Sequence, residues 1–184
     1  MSEQVLYSKK SNQKIILIGY MGCGKSTVGR LLAKHLSFNF VDLDDFLSEK
    51  HGSSVPNLFL KHGEIGFRKL EKIALDHLLV SNKEFVLSLG GGTPCYAENM
   101  ESVIKSTPNT FYLSPTISTL CNRLYSDKQC RPMISHLTSE DKLQEFIAKH
   151  IFERKQYYEQ ASNVLYIHDQ TPQELVDQII KKLA

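Results

Sequence analysis

Eight residues near the start of the chain have the types and spacing to hold a phosphate. Gly19-x-x-x-x-Gly24-Lys25-Ser26 follows the apolar run at 15–18 directly and precedes residues at helical spacing. Glycines let successive backbone N–H groups turn inward, and the N-terminus of a following helix adds positive potential. Gly22, Cys23, Gly24, Lys25, Ser26 and Thr27 are therefore the expected cradle of a nucleoside triphosphate. Lys25 would reach the β- and γ-phosphates, and the Ser26 hydroxyl would ligate Mg2+. At an average glycine usage of about 7%, chance yields the pattern in roughly one chain of this length in a hundred or fewer. The strand and helix expected on either side lower that figure again.

A phosphoryl donor needs an acceptor, and later stretches carry residue types suited to one. "VDLDDF" places Asp42 and Asp44 at the end of an expected strand, on one side of an extended segment. In an open parallel sheet that edge forms the ligand crevice. One carboxylate there would serve Mg2+ and the other the acceptor hydroxyl. Asp45, beside them, has the chemistry of a helix cap. "GFRKLE" sets Arg68 and Glu71 one helical turn apart, a spacing that equally describes a solvated surface pair. In "LSLGGGTP", Gly90, Gly91 and Gly92 end a strand, where a tight turn needs one or two glycines and a backbone approach to a ligand favours three. "CRPM" puts Arg131 in the polar, weakly periodic stretch 126–140, which reads as a loop or mobile lid. "FERKQYYE" puts Arg154 on a helix expected to begin near Leu143.

Positioning these residues takes a sheet with helices between its strands. Strands are expected at 14–18, 39–43, 84–89, 110–113 and 163–167. Val28, Leu31, Leu32 and Leu36 follow helical spacing after the first. Leu70, Ile73, Ala74, His77 and Leu78 do so before the third, and Leu175, Val176, Ile179, Ile180 and Leu183 after the last. Thr171-Pro172-Gln173-Glu174 has the composition of a capping box opening that final helix. Alternation of this kind implies a parallel sheet covered on both faces. At 184 residues, 41% of them hydrophobic, the chain is long enough for one full core. A net charge of +2 excludes a general nucleic-acid binder. Four cysteines without C-x-x-C pairing read as reduced thiols, and seven scattered histidines offer no zinc site. No apolar run reaches membrane length, and the polar residues 1–12 do not resemble a leader. The expectation is a soluble, cytoplasmic, monomeric domain at 13–184 after a flexible segment, without a membrane partner.

Taken in order, these motifs resemble the shikimate kinase family from about Lys14 to the end of the chain. The phosphate loop alone names only a superfamily. The specific part is Asp42-x-Asp44, GFRKLE, the three glycines, Arg131-Pro132 and the ERKQYYE stretch at 153–159. The resemblance implies a three-layer α/β/α fold like that of the nucleoside monophosphate kinases, with strand order 2-3-1-4-5. It also implies ATP-dependent phosphorylation of the 3-hydroxyl of shikimate. Arg68 and Arg154 would grip the acceptor's carboxylate by fork-shaped pairing. Asp44 would take or orient the hydroxyl proton, with Glu71 and the glycines completing the acceptor site. Lys25 and Arg131 would stabilise the transferred phosphoryl, and Asp42 with Ser26 would serve Mg2+. Arg123 and the stretch 168–172 fall where the family contacts adenine. Leu89 stands where the family carries threonine, and the Arg123 to Arg131 spacing is one residue longer than its pattern. Gluconate and nucleoside monophosphate kinases, and a nucleotide-sensing domain without catalysis, remain as rival readings.

Overall fold

Among the residues the structure describes, five short apolar runs become parallel strands because each is too short for a helix and is bounded by polar or glycine-rich turns. The computed structural model describes residues 13–127, 131 and 133–183. The strands are β1 (Lys14–Ile18), β2 (Asn39–Asp42), β3 (Phe85–Ser88), β4 (Thr110–Pro115) and β5 (Asn163–Ile167). Their order is β2-β3-β1-β4-β5, as the family resemblance implies. In β1, the central strand, Ile16 lies opposite Leu87 of β3 and Thr110 of β4. Ile15, Ile16, Leu17 and Ile18 alternate between faces, yet each is 0% exposed, so both faces of the sheet are covered.

Among the described residues seven α-helices supply that cover: α1 (Lys25–Leu36), α2 (Leu43–His51), α3 (Val55–Leu79), α4 (Asn99–Ser106), α5 (Ile117–Asp127), α6 (Glu140–Tyr158) and α7 (Pro172–Leu183). Packing joins α1 to α7, α5 to α6, and α3 to both α2 and α4. Among the described residues no helix is long and apolar enough to cross a membrane. Cys23, Cys95 and Cys121 are free thiols, and Cys130 lies outside the described residues.

The structure corrects three local expectations. The segment carrying Asp42 and Asp44 is not extended throughout. Asp42 ends β2 with extended backbone and caps α2, accepting from the Asp44 N–H at 3.1 Å, so Asp44 sits in the first helical turn. Asp45 is no cap; it is exposed and lies 3.6 Å from Arg30. Helix α6 starts at Glu140, not near Leu143, because Ser139 caps it through the Lys142 N–H. Of the stretch 126–140, residues 128–130 and Pro132 lie outside the described residues, as do 1–12. The remainder is anchored by Ile134, which is fully buried.

The box expected before α7 forms in full. The Thr171 N–H donates to Glu174 at 2.7 Å, and the Glu174 N–H donates to the Thr171 hydroxyl at 3.3 Å. Replacing Thr171 by alanine should lower the unfolding free energy by about 1 kcal/mol, measured by urea denaturation.

Candidate active site

The turn from β1 into α1 is built around positive backbone angles. Gly22 (φ 77°) and Gly24 (φ 101°) adopt conformations that a side chain would strain, and a Cβ at Gly22 would fall 2.8 Å from Leu124. Lys25, the first residue of α1, is buried at 8% exposure. Its ammonium donates to the carbonyls of Gly19 (2.8 Å) and Tyr20 (3.0 Å) and lies 3.7 Å from the Cys23 sulfur. A cation is thereby fixed at the centre of the loop.

The next residue, Ser26, donates its hydroxyl to Asp42 Oδ2 at 2.8 Å. A hydroxyl and a carboxylate meeting at the head of the loop are an oxygen donor set that suits Mg2+, which takes few protein ligands and completes its shell with phosphate and water. Asp44 is partly buried beside them. Burial, reinforced by the nearby Asp42 and Glu71 charges and only partly opposed by Lys25, pushes its carboxyl from 3.8 up to about 6.

The pair that could have been a surface ornament is an interior one. Glu71 is 1% exposed, and its Oε2 accepts from Arg68 Nη1 at 2.8 Å. Oε1 accepts from the Thr93 hydroxyl at 2.7 Å. The Arg68 guanidinium lies 5.6 Å from the Phe67 ring and 5.8 Å from that of Phe59. The glycine triplet is required by crowding rather than by backbone angle. A Cβ at Gly92 would stand 2.6 Å from Arg68 Nη2, and one at Gly90 would stand 3.1 Å from Asp44 Oδ1.

On the other side of the triplet, Arg154 of α6 donates to the Gly91 carbonyl at 3.4 Å and lies 5.6 Å from the Tyr20 ring centre. The Tyr158 hydroxyl donates to the same carbonyl. Burial raises the Tyr158 phenol and pushes that of Tyr20 up to about 12, so both remain donors. Tyr20 is 3.1 Å from His150 Nδ1, and burial together with Arg154 holds His150 below its ordinary range.

A cavity of about 730 Å³ unites the donor side. Gly22, Cys23, Gly24, Lys25, Ser26, Thr27, Asp42, Asp44, Gly90, Gly91, Arg123 and Arg131 all line it. Arg123, despite its shifted spacing, reaches over the loop to the carbonyls of Gly22 (3.4 Å) and Cys23 (3.3 Å). Gln170 and Pro172 line the far end, within the stretch expected to meet adenine. Arg131 keeps a buried Nε with no hydrogen-bond partner among the described residues. Arg68, Glu71, Gly92 and Arg154 are not in the cavity wall; they form a second group across Gly91 and Gly92. Sequence reasoning assigned no site role to Tyr20, Thr93 or Tyr158, although Thr93 follows the glycines directly and Tyr158 lies in the ERKQYYE stretch.

A glycine-rich loop with a central lysine, at the carboxyl edge of a 2-3-1-4-5 parallel sheet and facing a carboxylate, defines a phosphate-loop kinase. The family model for shikimate kinase matches residues 21–184. A shikimate kinase from Flavobacterium johnsoniae is 42% identical over 172 residues, covering 94% of this chain and 99% of that one. The crystal structure of shikimate kinase from Bacteroides thetaiotaomicron superposes with a TM-score of 0.83 at 34% identity, covering 92% of this chain and 97% of that one. The shikimate kinase from Acinetobacter baumannii, solved in complex with shikimate, gives 0.81 at 32% identity and covers 92% of each chain. This chain belongs to the shikimate kinase family.

The raised Asp44 carboxyl has a cost with a definite sign. Its folded value lies above its unfolded one, so its contribution to stability is full below about 3.8 and is lost as pH rises through about 6. Asp44→Asn should therefore be more stable than the parent at pH 8, by on the order of 2–3 kcal/mol. The gain should shrink through pH 6 and vanish near pH 4. Urea denaturation at those pH values measures it; a gain independent of pH would mean the cause is not this charge.

Proposed function

We propose that this chain transfers the γ-phosphoryl group of ATP to the 3-hydroxyl of shikimate, giving shikimate 3-phosphate and ADP. The observation that carries this reading is the Arg68 guanidinium, held by buried Glu71 against Gly92 beside the partly buried Asp44. An acceptor with one carboxylate and a reactive ring hydroxyl needs that pairing of a fork-shaped cation with a nearby base. Arg154 supplies a second guanidinium beyond Gly91, which suits a clamp on the same carboxylate. The family membership and the shikimate-bound relative support the same acceptor.

In the reaction, the acceptor oxygen forms its bond to the γ-phosphorus as the bond from that phosphorus to the β,γ-bridging oxygen breaks. The hydroxyl proton passes to Asp44. A carboxyl near 6 is ionised at neutral pH yet is a better base than an ordinary aspartate. Lys25 and Arg131 stabilise the charge that gathers on the equatorial oxygens, and the unpartnered Arg131 Nε suits such an oxygen. Ser26 and Asp42 would hold Mg2+, which when bound neutralises phosphate charge. Arg123, Gln170 and Pro172 would flank the adenine, and the backbone N–H groups of Gly22, Cys23, Gly24, Lys25, Ser26 and Thr27 would hold the phosphates. The stretch 126–140 would act as the lid that carries Arg131 and excludes water. The domain at 13–184 would work as a cytoplasmic monomer without nucleic-acid or membrane partners.

Purified protein offered shikimate, gluconate, AMP and CMP with ATP should phosphorylate shikimate alone at a useful rate; preference for another acceptor would remove the assignment. With shikimate, kcat should rise with pH through about 6 and level off, and stopped assays across pH 5–8 would show that limb. Arg68→Lys and Arg154→Lys should each raise the KM for shikimate strongly while leaving ATP binding nearly unchanged, because an ammonium cannot form the planar fork. An analogue with the carboxylate reduced to an alcohol should bind the parent poorly and lose little more in either variant. Fully additive losses would make the arginines structural.

A further inference from the structure

We infer that Thr93 is a positioning residue for the acceptor's carboxylate, acting through Glu71 on Arg68; the inference rests on the acceptor assignment above. Thr93 is 0% exposed, and its backbone is tied at both polar atoms. Its N–H donates to the Gly90 carbonyl at 3.1 Å, and its carbonyl accepts from Asn99 Nδ2 at 2.9 Å, with Asn99 itself fully buried. The place of the hydroxyl is thus set by the glycine turn on one side and by the start of α4 on the other. From there it donates to Glu71 Oε1 at 2.7 Å, while Oε2 is occupied by Arg68 at 2.8 Å. A carboxylate held at both oxygens cannot rotate, so the guanidinium it holds has one position.

The surroundings decide which way Arg68 would go if that hold were lost. On the loop side there is no room, since even a Cβ on Gly92 would come within 2.6 Å of Arg68 Nη2. On the outer side, Glu64 already stands 4.0 Å from Arg68 Nε with its own side chain 75% exposed. A freed Glu71 would therefore surrender Arg68 toward Glu64 and solvent, away from the glycines that carry the acceptor. Thr93 holds the competition between two carboxylates in favour of the buried one. It also makes the glycine turn and the arginine a single unit, so that the donors of one and the fork of the other keep a constant separation.

The test compares Thr93→Val, Thr93→Ala and Thr93→Ser in the full chain, with melting curves confirming that each folds. Valine and alanine should raise the KM for shikimate by roughly ten- to a hundredfold, as loss of a hydrogen bond to a charged group implies. Serine, which keeps the hydroxyl, should stay within about twofold of the parent, and the KM for ATP should hold within about twofold in all three. The reduced, carboxylate-free analogue should bind parent and valine variant alike, since the group that Arg68 grips is absent. If the valine variant does not fold, alanine and serine carry the same comparison. An unchanged shikimate KM in valine and alanine, or equal losses for shikimate, analogue and ATP, overturns the inference. A parent protein that does not phosphorylate shikimate overturns the acceptor assignment first and this inference with it, and that result is read before any variant is made.

Discussion

A carboxylate with almost no access to water is the constraint around which the acceptor half of this site is organised. Glu71 is 1% exposed, and burying an unpaired charge of that kind would cost several kcal/mol. The cost is offset only because both oxygens find donors, one on its own helix and one on the loop after β3. Helix α3 must therefore lie against that loop in one register, and the loop must be thin enough to admit a guanidinium. The three glycines answer the second need. At Gly92 the crowding atoms belong to Arg68, at Gly91 to the backbone of Met21, and at Gly90 to Thr93 and Asp44. Each glycine is small for a different neighbour.

Asp44 shows the opposite balance within a few ångströms. Among the described residues no donor meets its carboxylate as Arg68 meets that of Glu71, and burial together with the adjacent acids leaves it near 6. Glu71, met by a donor at each oxygen, is suited to holding Arg68 in place, and Asp44 to taking a proton. The difference comes from environment, since one carboxylate meets two donors and the other is buried among acids.

Much of this was legible in the sequence, for identifiable reasons. The phosphate loop was readable because its glycines, lysine and serine act through local backbone geometry, which spacing alone specifies. The strands were readable because parallel strands buried on both faces are continuous apolar runs. The Thr171–Glu174 box is also local, and it formed as its four residues imply. What failed was longer in range or finer in grain. Asp42 capping α2 depends on where a strand stops, and an acidic run does not say which carboxylate makes the turn. The break within α3 at Gly63 (φ 65°, ψ 177°), after which the segment bearing Arg68 begins anew, is marked in the sequence by little more than the glycine itself. Burial of the Arg68–Glu71 pair could not be read from an i, i+3 spacing, because the same spacing serves exposed pairs such as those on any solvated helix.

The contacts with no local signature are the ones that join the two halves. Thr93 reaches Glu71 across 22 positions, and Tyr158 reaches Gly91 across 67. Gly91 is the point where the two halves meet. Its carbonyl is held from the α6 side by Tyr158 and Arg154, while its α-carbon lies close to the phosphate loop at Met21. Tyr20, inside that loop, turns its ring toward Arg154 and its carbonyl toward Lys25. The cation that would meet the phosphate and the cation that would meet the acceptor's carboxylate therefore share one residue between them. A shift of α6 that moved Arg154 would press on the Tyr20 ring and, through a single peptide, on the carbonyl that positions Lys25. Donor and acceptor sites in this chain are spaced by side chains packed in contact, and the distance between them is set by the width of a glycine and an aromatic ring.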